Sequence, residues 1–458
     1  MGTWNGKRIG TRRVTRRGVL RTGAGAAGAA AVGGFLPHGI RAAGAPLGLQ
    51  SGEPVVMLST QFSQVTEQEA MRETILADYE GEVDFVHEDA GPFFDRIRAE
   101  TEAGEGAVGV LGGTHGDFAA LAAEGLLADL SDLATELQDR GFVPQYLEFG
   151  KYGTEQQFLI PWMQANYIMA ARREALDYLP EGLTEEGLQT ELTYDQLTAW
   201  AEAINEAEGP RFGLPAADEG LLNRFLQGYA YPSFTGGLNT TFKSDAAVGM
   251  WEWLRGVWKF ADPQSVGYNN MSDPLLSGSV WLAWDHTARL INALRETPDD
   301  FITFPAPRGP EGLGFLPVLA GLAIPNSAPD MEASRSLIEY LTRPESQILT
   351  LQANAFFPVV EAEIPADLEA GIQKEADAIT ATTTAEAALP SVLPVGLGDQ
   401  SDAYSDVFRN AFRAIILDGD DIREVLDAEG ANLQEVLNTA EAACWTPDPA
   451  SDGVCQVE

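Results

Sequence analysis

Cysteine is nearly absent, with two in 458 residues, which excludes a disulfide-built scaffold and a thiolate metal cluster. Positive charge is scarce as well. With 29 Lys and Arg against 68 Asp and Glu the net charge is −39, and a surface this acidic repels nucleic acid and anionic lipid headgroups. Beyond the leader no apolar run approaches the ~20 residues that cross a bilayer. There is no Gly-x-Ser-x-Gly elbow, no His-Glu-x-x-His, no Walker loop and no Gly-x-Gly-x-x-Gly after a strand. The usual signatures of hydrolases, metalloproteases and nucleotide enzymes are therefore missing. Low-complexity tails are lacking too, and at 45% hydrophobic and 9% aromatic the chain can bury two or three cores.

Residues 1–52 contain no acidic side chain but carry Lys7, Arg8, Arg12, Arg13, Arg16, Arg17, Arg21 and Arg41. The basic stretch ends in Arg16-Arg17-Gly18-Val19-Leu20, a weakly apolar run follows over Gly23–Leu36, and small residues close it at Ala42, Ala43, Gly44 and Ala45. Basic, apolar, then small is the order of an export signal. The arginine pair and the Gly/Ala-rich core resemble a twin-arginine (Tat) signal, so residues 1–45 are expected to export the chain already folded. No cysteine lies near the cleavage site to carry a lipid anchor. Cys444 and Cys455 flank ten residues rich in Pro and Asp, which predicts a turn closed by a disulfide in an oxidising compartment.

In the mature chain, Val55–Ser59, Val83–His87 and Ala107–Leu111 read as strands. They alternate with helices through Met71, Ile75 and Leu76, through Phe93, Phe94 and Ile97, and through Phe118, Leu121 and Leu126. That alternation predicts a parallel α/β sheet, with ligand outside the carboxyl ends of its strands. Residues 155–172 hold a strand-like stretch, 218–295 read as helical and unusually aromatic, and Leu316–Pro325 as a buried strand. A helix is expected from about Asp330 to Thr342 and another over Pro344–Ala353.

Four stretches carry a resemblance. They are Ala119–Leu130 with its Gly125-Leu126-Leu127-Ala128-Asp129-Leu130, Phe158–Met163 around Pro161-Trp162, Gly321-Leu322-Ala323-Ile324-Pro325, and Ser336–Gln347 ending Thr342-Arg343-Pro344-Glu345-Ser346-Gln347. Together they resemble the extracellular solute-binding proteins of ABC importers, family 1, which includes the maltose-binding and other sugar-binding proteins. The departure is at Met169 and Ala170, where the family usually has tyrosine and asparagine. The resemblance implies an α/β, two-lobe periplasmic-binding-protein fold (type II) whose interlobe cleft closes about hinge crossovers. By that analogy residues 54–161 plus 316–370 form one lobe and 162–315 plus 371–458 the other. It also implies a monomer that binds a carbohydrate or polyol without chemistry or cofactor and delivers it to membrane permease subunits.

A sugar presents apolar ring faces edged by hydroxyls, so its site combines aromatic platforms with polar side chains. At the strand ends and crossovers the candidates are Gln61, Phe62, Thr114, His115, Trp162, Met163, Tyr231, Trp284, Asp285, His286 and Phe356. Trp162 is expected to stack on the ligand, and Asp285 to bridge two hydroxyls. Two alternatives stay open on the residues alone. His87, His115 and His286, the three histidines left after processing, would suit a divalent transition metal if they converge. Asp285, Glu88 and Asp89 beside aromatic rings would suit a polyamine or other cationic solute.

Overall fold

A computed structural model describes residues 54–63, 65–365 and 367–458. The leader expected over residues 1–45 lies outside the described residues. These described residues make up one compact unit. In chain order its strands are β1 (Val55–Ser59), β2 (Val83–His87), β3 (Val108–Thr114), β4 (Ile160–Ala165), β5 (Tyr167–Arg172), β6 (Phe212–Gly213), β7 (Leu282–His286), β8 (Phe301–Phe304), β9 (Leu313–Phe315), β10 (Val318–Ala323) and β11 (Ala388–Pro390).

They form two principal sheets, one per lobe. The first runs β2-β1-β3-β10-β4. β1 pairs parallel with β2 and β3, as the strand–helix alternation predicts, while β10 returns antiparallel between β3 and β4. The second runs β6-β7-β5-β8, with β5 antiparallel to both β7 and β8. A two-stranded ribbon of β9 and β11 flanks it. The β3 residues Val108, Val110 and Leu111 are at most 1% exposed, because helices cover both faces of such a sheet. Helices Ala90–Ala103 and His115–Ala123 pack against it through Phe93, Ile97, Phe118 and Leu121. On the other face Met331–Leu341 seats Leu337 and Ile338 beside Met57 and Val110.

The chain changes lobe three times. β4 and β5 are separated only by Asn166, β9 leads into β10, and the segment after the helix Pro344–Asn354 leads to the helix Ala370–Thr383. The first and third passages are tied together. Gln164 and Phe357 exchange backbone hydrogen bonds of 2.9 and 2.7 Å, Gln164 Nε2 donates to Pro358 O, and Tyr146 Oη donates to Gln164 Oε1. β4 pairs along its length with β10, and β5 with β7 and β8, so the chain passes from one sheet to the other at Asn166.

The aromatic residues of 218–295 fill the second lobe's core, where Trp251, Trp284, Tyr229 and Tyr231 are fully buried. That stretch is not wholly helical, since Leu282–His286 is β7. Its run Leu-Ala-Trp-Asp is buried on both faces between β5 and β6, and such a short apolar run shows no helical or strand period. In the tail, Cys444 and Cys455 are bonded to each other. Buried Asp448 accepts hydrogen bonds from the backbone of Leu238, Asn239 and Thr240, pinning the tail to the second lobe.

Candidate functional site

The carboxyl ends of β1 and β3 meet over one carboxylate. Thr114 caps the helix His115–Ala123 in a capping box with Asp117, which places the Asp117 side chain back over the strand end. Asp117 Oδ2 accepts from Thr114 N at 2.8 Å and from Thr60 Oγ1 at 3.1 Å. Burial pushes the Asp117 carboxyl above its ordinary range, and these hydrogen bonds oppose the shift.

Thr114, Gly116 and Asp117 form one wall of a cavity of about 310 Å³ between the lobes, with Phe94 and Arg98 beside them. The second lobe supplies the facing wall: Arg224, Leu393, Pro394 and Leu397, and Ser401, Asp402 and Ser405 at the start of the helix Ser401–Phe412. The lips nearly touch. A Cβ added to Gly116 would stand 3.0 Å from Pro394 O. Arg98 is committed to a two-point pair with Glu124, at 2.9 and 2.7 Å. Arg224 lies on the short helix Leu222–Phe225, where a π-helical turn over Leu226–Ala230 follows, an irregularity that recurs at functional sites. A larger groove of about 520 Å³ lies between the helices Tyr194–Glu208 and Asp245–Val257, lined by Asp195, Glu202 and Glu252, away from the crossovers.

Of the eleven residues read from the sequence, Thr114 alone lines the interlobe cavity. His115 is turned into a crevice between the lobes, where its Nε2 donates to Phe149 O at 3.1 Å and its ring stacks on Tyr152. Burial drives its pKa down to about 4. Gln61 lies in the loop after β1; its amide donates to Thr60 Oγ1 and its carbonyl receives His87 Nδ1. Phe62, in the left-handed region at φ 63°, meets Trp162 and Phe356 edge to face at 5.4 and 5.5 Å. These three rings and Met163 belong to the first lobe's core, each 7% exposed or less. Tyr231 is enclosed in the second lobe's core, donating to Phe242 O and accepting from Trp251 Nε1.

Trp284 is likewise buried, stacked on Tyr167 at 4.8 Å. Asp285 is fully buried, and both its oxygens are taken, by Met271 N and His286 N. Burial lifts its pKa to about 7. His286 caps the helix Thr287–Glu296, accepting Ala288 N–H at Nδ1, and burial lowers its pKa to about 3. The three histidines do not converge. His87 is tied to Gln61 O, His115 to Phe149 O and His286 to its own helix, and among the described residues no three His, Cys, Asp or Glu side chains could hold a metal ion.

Sequence reasoning passed over Asp117, Arg224, Ser401, Asp402 and Ser405. The pattern Thr114-x-x-Asp117 is a capping signature, and Arg224 is the one basic residue between Arg211 and Lys243. Nothing in the sequence brings Arg224 to Thr114, because that meeting depends on how two lobes close.

The model of the bacterial extracellular solute-binding proteins matches residues 63–348. No curated protein matches the chain. Among solved structures, the maltose-bound MalE3 of T. maritima superposes with a TM-score of 0.67 at 17% identity, over 84% of this chain and 100% of that one. The sugar-binding protein MalE of Xanthomonas citri gives 0.67 at 17%, over 84% and 98%. UgpB of Mycobacterium tuberculosis, in complex with glycerophosphocholine, gives 0.65 at 18%, over 85% and 99%.

Proposed function

The chain belongs to the bacterial extracellular solute-binding proteins, and from that premise we propose that it captures a mono- or oligosaccharide or a polyol between its lobes and delivers it to the permease of an ABC importer. The observation that carries this reading is the convergence of hydrogen-bonding side chains from both lobes on one cavity: Thr114 and Asp117 from the first, Arg224, Ser401 and Ser405 from the second. A solute touching both walls favours the closed arrangement, and a permease that recognises closure would then recognise loading. About 310 Å³ is at the low end of small-molecule pockets, ~300–1,000 Å³, which suits one or two sugar rings.

Hydroxyls and two carboxylates, Asp117 and Asp402, around a single aromatic edge, Phe94, suit a polyhydroxylated ligand. Arg224, a guanidinium in the wall without a carboxylate partner, counts against a polyamine. The family binds and does not catalyse. Residues 54–165 with 318–369 are taken as one lobe and 167–315 with 370–458 as the other, a division supported by the split of the strands into two sheets. Residues 1–45 are assigned as the twin-arginine leader that exports it, and among the described residues no helix is long and apolar enough to cross a membrane.

The test is thermal unfolding and calorimetric titration of the mature protein against a panel of monosaccharides, disaccharides and polyols, with polyamines and divalent metals as controls. A ligand at about 100 times its Kd adds ~2.7 kcal/mol of stability. A shift with a sugar or polyol supports the reading; shifts confined to polyamines or metals overturn it.

A further inference from the structure

Arg224 has no anion of its own. The guanidinium makes one hydrogen bond, from Nη1 to the neutral Gln227 Oε1 at 2.9 Å. Among the described residues no carboxylate lies within ion-pair reach of it. Across the cavity, Asp117 acts on it only at longer range and spends Oδ2 on Thr60 and Thr114. Other arginines meet different partners: exposed Arg98 faces Glu124, partly buried Arg172 faces Glu174 and Leu275 O, and Arg211 and Arg255 donate to backbone carbonyls while each leaves its Nε without a partner.

Burial lowers the Arg224 pKa from its ordinary value, which marks a cation partly withdrawn from water. A desolvated cation without a counter-ion is costly, and a ligand that supplies the anion removes that cost. The planar fork of a guanidinium also matches a carboxylate or phosphate through two parallel hydrogen bonds. The wall around it offers further donors. Ser405 is 7% exposed and Ser401 stands one helical turn before it, both lining the same cavity. Beside Arg224 in sequence, the Nε2 of Gln227 is a buried donor without a partner.

We propose that the solute is an anionic saccharide, a sugar bearing a carboxylate or phosphate that seats against Arg224 while its hydroxyls meet Asp117 and Thr114. The inference rests on the saccharide reading above and adds the charge of the ligand to it. It is also what an acidic receptor requires: in a chain of net charge −39, an anion is held only where a cation is built in.

The experiment is calorimetric titration of the mature protein with matched sets: glucose, glucuronate and glucose 6-phosphate, then galactose, galacturonate and galactose 1-phosphate, with inorganic phosphate and acetate alone. An acidic member is expected to bind at least about tenfold more tightly than its neutral parent. R224Q should abolish that preference and R224K keep part of it, and a melting curve for each variant verifies folding. If R224Q does not fold, R224K and the wild-type series decide the matter.

Neutral parents that bind as well as their acids overturn the inference and leave the saccharide reading standing. Inorganic phosphate or acetate binding through Arg224, with no sugar bound, overturns the saccharide reading and keeps the anion site. Binding of neither class overturns both.

Discussion

At the scale of single residues, burial decides which side chains can serve a ligand. Trp162 follows Pro161 at a crossover, where a stacking platform is expected, yet it is 1% exposed and held by Phe62 on the first lobe's side. Trp162→Ala should therefore act on stability: ~3–5 kcal/mol is the usual cost of an emptied aromatic site. Urea unfolding with m unchanged checks it; an unaltered midpoint with a weakened Kd would return Trp162 to the ligand. His115 gives a second test. Its pKa is about 4 in the folded protein and ~6.5 unfolded. Above pH ~6.5 it is neutral in both states and its contribution is complete. As the pH falls from ~6.5 to ~4 the unfolded chain takes up a proton that the folded one refuses, so stability drops; below ~4 it drops no further. Between about pH 7.5 and 4.5 this comes to ~2–3 kcal/mol. Asp285, with its pKa raised to about 7, works in the opposite direction over that range, so the comparison must be with His115→Gln. That variant keeps the donor to Phe149 O and should lose less stability on acidification by that amount.

At the scale of elements, the first sheet was legible and the site was not. β1 and β2 stand where their apolar runs put them, and the helices Met331–Leu341 and Pro344–Asn354 begin at their capping and proline signals. β-type runs bounded by turns, and helices with a cap, are local facts. The stretch around Phe158–Met169 reads as one strand but is two, because Asn166 carries the chain from one sheet to the other and no periodicity announces a change of partner. Of the cavity, Thr114 was found because it ends a strand. Ser401 and Ser405 come from a helix nearly 300 residues downstream, and only the closing of the lobes brings them in. Closure rests on an element contact that can be tested. Gly116, in the first turn of His115–Ala123, lets that helix approach Pro394 O with no Cβ between them. Gly116→Leu should prop the lips apart, weaken the solute Kd about tenfold or more and leave the unliganded melting temperature nearly unchanged. An unchanged Kd would mean that closure does not use this contact.

At the scale of the whole molecule, charge is the dominant feature. After residue 52 the chain carries 21 basic and 68 acidic residues, so most carboxylates have no cation to pair with. The pairs that exist, such as Arg98–Glu124 and Arg173–Glu185, sit at the surface and contribute little each. The excess repels itself and works against the compact state. Salt acts on that repulsion through its range: the Debye length is ~10 Å at 0.1 M and ~3 Å at 1 M. Raising sodium chloride from about 0.05 to 1 M should therefore raise the melting temperature by several degrees, most of it below about 0.3 M, where screening changes fastest. Sulfate and sugars would confound the result, since they strengthen burial in any protein. Chloride at matched ionic strength, with a near-neutral protein of similar size alongside, isolates the charge effect. A flat or falling melting temperature would mean that the surface ion pairs weakened by salt outweigh the unpaired carboxylates, and that the acidity contributes solubility without a folding cost.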